Sequence, residues 1–307
     1  MRLPAPADGT GDGSRESRPA SGPRAGARGA AGSGERTLPP APRADCAADA
    51  AGTLTFTLAL RTGGSPWRTV LLQRRGGESP VDTVHLPLTE EVPGVLSAQL
   101  PLALHLAEGR WDVYAAPAGT GRTRLRPGVY DLRTLAGGAA AAGHFAGAAV
   151  CVPYTTKYGN LSLRTWLREP HAEAGAIHLA GRTGTVEGRL HGAELAGGAR
   201  LEVRARGASG PAHALPVTRD GQDFTAALAL GALPAPADGP ARFELWLRPD
   251  DAAPPVRVAR LLDDVPDKRA VFRYPAVALG DGREAAFVYT ADNDLDVEVR
   301  AAVAPAA

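Results

Sequence analysis

The chain has 307 residues, 34 Lys and Arg against 33 Asp and Glu, and a 44% hydrophobic share that is rich in alanine. This near-cancelled charge gives no electrostatic case for nucleic acid or an anionic membrane surface as partner. No run of about 18 apolar residues is present to span a bilayer, and the length suits two ordinary domains or one large one.

Residues 1–50 come first and are Gly, Ala, Pro, Ser and Arg with scattered acids and almost no large apolar side chain. Such a stretch cannot bury enough surface to offset about 1–2 kcal/mol of backbone entropy per residue, so a disordered tail is expected. Its opening, Met1-Arg2-Leu3-Pro4, lacks the apolar segment of a secretory signal. A cytoplasmic location is the default expectation, with peripheral contact to the membrane through a partner as the alternative. The tail also holds Cys46. The other cysteine, Cys151, sits in the apolar run Ala148-Ala149-Val150-Cys151-Val152 and is expected to be a small buried thiol.

From Gly52 the texture changes. Leu54-Thr55-Phe56-Thr57-Leu58 alternates with period two, which is the pattern of a half-buried strand. Residues 67–72, 84–88, 94–106 and 110–115 follow as further short apolar runs, separated by Gly, Pro and charged breaks. Strands at this spacing, without an amphipathic helix of about 10 residues, predict an antiparallel β-sandwich.

The same series then returns roughly 130 residues later. Gly52-Thr53-Leu54 matches Gly184-Thr185-Val186, and Trp67 to Val70 has a counterpart in 199–203. Leu86-Pro87-Leu88-Thr89 matches Leu215-Pro216-Val217-Thr218, and 96–100 matches 224–228. Trp111-Asp112-Val113-Tyr114 returns as Phe243-Glu244-Leu245-Trp246. The run from Tyr154-Thr155 to Leu163 returns as Tyr289-Thr290 to Val297. Six matches in one order define an internal repeat. The expected architecture is all-β: two tandem immunoglobulin-like antiparallel β-sandwiches after a disordered N-terminal tail. The first spans 51–168 and the second 172–303, each burying its own core, with the junction at Pro170.

Within the repeat, Trp111, Val113 and Ala115 fall on one face of a strand and are expected in the core. Tyr114, and Trp246 in the second copy, fall on the other face. They are either packing residues or exposed stacking platforms for sugar rings. The hairpin Pro153 to Leu163 turns at Gly159-Asn160 and gathers Tyr154, Lys157, Tyr158 and Asn160 at its tip. Two aromatics, an ammonium and an amide make a candidate contact for an anionic sugar or phosphate, against the plain alternative of incidental polar turn residues. The second copy has Ala291-Asp292-Asn293-Asp294 there instead, so the two tips would not bind alike.

Asp292, Asp294 and Asp296 alternate as in a calcium loop, but Val297 and Val303 stand where such a loop needs Gly and Glu. A charged turn leading into an edge strand is the expectation, with no metal site. The seven histidines show no ligand spacing, and no phosphate loop, nucleophile elbow or other catalytic motif is recognisable, so no cofactor is expected. The basic residues are almost all arginine, with lysine only at 157 and 268. This composition fits a GC-rich bacterial genome and lowers the weight of any arginine cluster.

Gly109-Arg110-Trp111-Asp112-Val113-Tyr114 followed by Pro153-Tyr154-Thr155-Thr156-Lys157-Tyr158-Gly159-Asn160-Leu161-Ser162-Leu163 resembles a pair of motifs in one group of modules. These are the immunoglobulin-like accessory domains of actinobacterial glycosyltransferases and of CDP-glycerol glycerophosphotransferase (teichoic-acid polymerase) type proteins. The resemblance covers the first copy directly and the second through the repeat. It implies a part in cell-surface polymer assembly, with a glycan or a polymer-building glycosyltransferase as partner. No transferase domain accompanies the motifs in this sequence. The expected function is therefore non-catalytic binding or scaffolding. The alternatives are a structural oligomerisation or protein-interaction module, and a transferase-associated protein whose activity is not visible in sequence.

Overall fold

In a computed structural model, residues 41–59, 65–136, 147–234 and 239–302 are described. The fold is all-β. The first copy runs β1 (Arg43–Ala48), β2 (Leu54–Ala59), β3 (Trp67–Arg74), β4 (Thr83–Pro87), β5 (Thr89–Val92), β6 (Val95–Leu100), β7 (Gly109–Pro117), β8 (Thr123–Arg124), β9 (Arg126–Asp131), β10 (Ala148–Thr155) and β11 (Leu161–Arg168). The second runs β12 (His171–Ala180), β13 (Thr183–His191), β14 (Arg200–Ala205), β15 (His213–Pro216), β16 (Thr218–Asp220), β17 (Asp223–Ala229), β18 (Ala241–Arg248), β19 (Val256–Ala259), β20 (Val277–Ala278), β21 (Arg283–Tyr289) and β22 (Leu295–Ala301).

Strand order repeats along with sequence. One sheet of the first copy is ordered β5-β6-β2-β1-β9, and the second copy carries β16-β17-β13-β12-β19. The other sheet is β10-β11-β7-β3-β4, and its counterpart runs β21-β22-β18-β14-β15. Each copy includes one parallel pair, β1 with β9 and β12 with β19, within otherwise antiparallel sheets. The chain switches sheets at the same point in both: β8 pairs β7 before β9 joins β1, and β19 pairs both β18 and β12.

Alternation explains which face is inside. Leu54, Phe56 and Leu58 on one sheet and Trp111, Val113, Leu161 and Leu163 on the other are all buried in a common first core. Val186, Phe224, Phe243, Leu245 and Val297 do the same in the second. Burying a side chain of this class contributes roughly 1.5–3 kcal/mol.

The structure corrects several expectations. The tail was placed as far as residue 50, yet Arg43–Ala48 is a strand whose Ala44 and Cys46 are buried. Short apolar side chains suffice there, because the strand lies between β2 and β9 and is hydrogen-bonded on both sides. The rest of the expected tail, residues 1–40, lies outside the described residues. The cores are not wholly separate either: Ala259 and Leu261 of the second copy pack into the first core. Last, β22 is no edge strand, since β18 and β21 flank it.

The hairpin match shifts by one residue at its start. Thr155 pairs with Leu161, and Tyr289 pairs with Leu295, so Thr155 and not Tyr154 is the counterpart of Tyr289. The two turns then superpose residue by residue. Thr156 and Thr290 each accept and donate the closing hydrogen bonds, and Gly159 (φ 69°) and Asn293 (φ 62°) take the left-handed position. Glycine and asparagine are the residues that tolerate it.

Candidate functional site

Each copy carries an arginine–aromatic arrangement on the outer face of its β7 or β18 sheet. In the first, the Arg122 and Arg124 guanidiniums lie 4.4 and 5.0 Å from the Tyr114 ring centroid. In the second, Arg204 and Arg257 lie 5.0 and 5.5 Å from that of Trp246. Arg124 donates to the Leu161 carbonyl at 2.9 Å, as Arg257 does to the equivalent Leu295 at 2.9 Å. Both rings are therefore engaged by the protein's own cations and are half-buried. Tyr114 and Trp246, expected as packing residues or as stacking platforms, thus carry guanidiniums over their rings.

The acid that holds the arginine sits on different strands in the two copies. Asp112 on β7 accepts from Arg75 and Arg124, each with a closest approach of 2.6 Å, and from Ser162 at 3.0 Å. Burial pushes its carboxyl up, but the hydrogen bonds from Arg124 and Arg75 outweigh this and leave it below the usual carboxylate range. In the second copy the partner of Arg257 is Asp296 on β22, which occupies the position of Ser162. Burial dominates there, and Asp296 is raised despite the pull of Arg257.

Beside Asp112 the outer face opens into a groove of about 950 Å³. Its floor follows from strand register. Tyr154, Ser162 and Asp112 stand side by side on β10, β11 and β7, and Arg164 stands opposite Arg110 in the next row. One wall is the first hairpin, Thr156 to Asn160; the other includes Asp264, Pro266, Asp267 and Ala291 of the second copy. Tyr154, Lys157, Tyr158 and Asn160 all line this groove, whereas Tyr114 and Trp246 do not. Arg126 fixes the tip by donating to the carbonyls of Tyr158 and Gly159 at 3.0 and 2.9 Å. Tyr158 is 73% exposed, with the Lys157 ammonium 4.9 Å from its ring centroid.

Sequence reading missed Arg75, Arg110, Arg124, Arg164 and Tyr130, which also line the groove. The register of β10, β11 and β7 would have signalled Arg110 and Arg164. Arg75, Arg124 and the second-copy wall come from distant parts of the chain, and no local pattern announces them.

The second hairpin is occupied differently. Arg164 pairs with Asp292, and Arg168 with Asp294 at 2.6 Å. Trp166 is buried and donates to the Asp292 carbonyl at 3.1 Å. The charged turn that looked like a calcium loop is thus the plug that docks the second copy onto β11. Among the described residues no group of three or more His, Cys, Asp or Glu is placed to hold a metal ion.

No protein-family model matches the chain, and no curated protein does. Among solved structures it is similar to S. aureus TarS, at 15% identity over 60% of this chain and 35% of that one, with a TM-score of 0.28. A TarS structure of residues 217–571 gives 15% identity over 61% and 55%, also at 0.28. Pullulanase type I from Bacillus subtilis str. 168 complexed with maltose gives 10% identity over 79% and 29%, at 0.21. The chain thus spans between about a third and about half of these chains. No helix among the described residues is long and apolar enough to cross a membrane.

Proposed function

We propose that this protein is a non-catalytic binding module that holds an anionic glycan in the groove between the first hairpin and the second copy. The groove itself carries the proposal. It is lined by five arginines and one lysine against three aspartates, with three tyrosines among them. Guanidiniums and ammonium suit acidic groups, tyrosine faces suit sugar rings, and carboxylates accept sugar hydroxyls.

Two groove carboxylates argue for binding rather than proton-transfer chemistry. Asp112 and Asp267 are both held below the usual range, the latter first of all by its hydrogen bond from Arg269. A general acid at neutral pH needs the opposite shift. The two motifs behind the resemblance, around 109–114 and 153–163, also converge on this groove through Arg110, Asp112 and the hairpin. That convergence supports a cell-surface polymer of the teichoic-acid type as the glycan, and the enzyme that builds it as the partner.

A screen of neutral and acidic glycans with the wild type, Lys157→Ala and Tyr158→Ala tests this reading. Acidic glycans should be retained in a salt-sensitive way, and each variant should bind several-fold more weakly. Equal binding by the wild type and both variants would refute it. Absence of any glycan retention, together with a molecular mass that shows self-association, would favour the oligomerisation role instead.

A further inference from the structure

Arg164 and Arg110 face each other directly across β11 and β7 on the groove floor. Like charges in that register repel unless counter-charge is supplied. Arg164 has one carboxylate, Asp292 of the second copy, which meets its Nη2. Its side chain is 9% exposed, and its Nε has no hydrogen-bond partner among the described residues. Arg110 is exposed, makes no ion pair with a described residue, and feels Asp267 only through longer-range attraction. At the hairpin tip, Lys157 has only the Tyr158 ring as partner among the described residues. Arg124 also lines the groove, and its buried Nε is unpartnered too.

Arg75 and Arg124 already share Asp112, so the counter-charge that is missing belongs to the Arg110 and Arg164 end of the floor. A carboxylate has only two oxygens, in one plane, and Asp112 spends both on Arg75 and Arg124. A tetrahedral group with three or four acceptor oxygens can serve two guanidiniums and an ammonium that approach from different sides.

We propose that the groove holds a phosphate group between Arg110 and Arg164, with Asp292 of the second copy as the positioning residue that sets Arg164. This rests on the groove being the binding site, and adds that the acidic group of its ligand is a phosphate. The Arg164 guanidinium donates to one phosphate oxygen and the Arg110 fork to others, while Lys157 closes over the tip. The first copy supplies the donors, and the docked second copy holds one of them in place.

The test is a titration of the full chain with inorganic phosphate at constant ionic strength, followed through the arginine Nε–H resonances. The Arg164 signal should shift and saturate. Arg110→Gln should weaken phosphate at least about tenfold, the size expected for a charge-assisted hydrogen bond. Arg110→Lys should restore part of that, and Asp292→Asn should weaken binding with a smaller Arg164 shift. Arg110 is exposed and makes no ion pair with a described residue, so its variants leave the fold intact. Unchanged affinity in Arg110→Gln, or the same saturating shift with acetate, would overturn the phosphate site. If acidic glycans still bind in a Lys157-dependent way, the groove reading survives that failure. If they do not, both fall.

Discussion

Arg164 on β11 and Asp292 in the second hairpin form an ion pair across 128 residues of sequence, and their meeting ties the two copies of the repeat together. The arginine is nearly buried and the aspartate is 59% exposed. Removing the acid leaves a buried guanidinium with fewer partners. Asp292→Asn is expected to cost about 1–3 kcal/mol in urea unfolding, the range for leaving a buried donor short of its partner. An unchanged midpoint would show that the plug is held by Trp166 and Arg168 alone.

The carboxylates that hold Arg124 and Arg257, Asp112 and Asp296, are shifted in opposite directions. Asp112 is depressed, so its ionised form stabilises the fold above the ordinary carboxylate pKa, and this is lost as pH falls through the lower folded value. Asp296 is raised, so it favours the folded state when protonated, and that advantage fades as pH rises through its folded value. Site-resolved carboxyl NMR should therefore show Asp112 titrating below the usual range and Asp296 above it. In the Asp112→Asn variant, the stability deficit seen at neutral pH should disappear in strong acid. A deficit independent of pH would mean that Asp112 acts by shape and not by charge.

The rings of Tyr114 and Trp246 lie under two guanidiniums each. Ligand binding should accordingly be unaffected by Tyr114→Leu or Trp246→Leu, while each variant loses stability through its cation–π contacts, about 0.5–2 kcal/mol. A large loss of glycan binding in either variant, with the fold intact by circular dichroism, would return these residues to the site.

Gly159 holds φ 69°, and a Cβ built on it would come within 2.9 Å of the Arg126 guanidinium that clamps the tip. Gly159→Ala should cost about 1–2 kcal/mol from the left-handed backbone alone. Because it also pushes Arg126 off the tip carbonyls, it should weaken ligand binding more than its stability cost suggests. Normal affinity would show that the tip need not be rigid.

What was legible in the sequence follows from period and order. Alternation in runs such as Leu54 to Leu58 sets strand and face, because successive side chains in a strand point to opposite sides. The repeat of Trp111 to Tyr114 as Phe243 to Trp246 sets the second copy, because equal patterns bury equal cores. The tip cluster at 154–160 was visible because it is contiguous. The start of the first copy was not, since Ala44 and Cys46 carry too little apolar surface to look like a strand.

The sequence by itself thus determined an all-β chain and the contiguous run that forms one wall of a groove. Only tertiary structure decided the rest. Arginines at 75, 110, 124 and 164 reach one place through strand register and a sheet switch, and composition gave no reason to single them out. Asp292 and Asp294 read as a loose acidic turn until β11 supplied Arg164 and Arg168. A charge takes its meaning from what it is packed against, and that partner lies more than a hundred residues away.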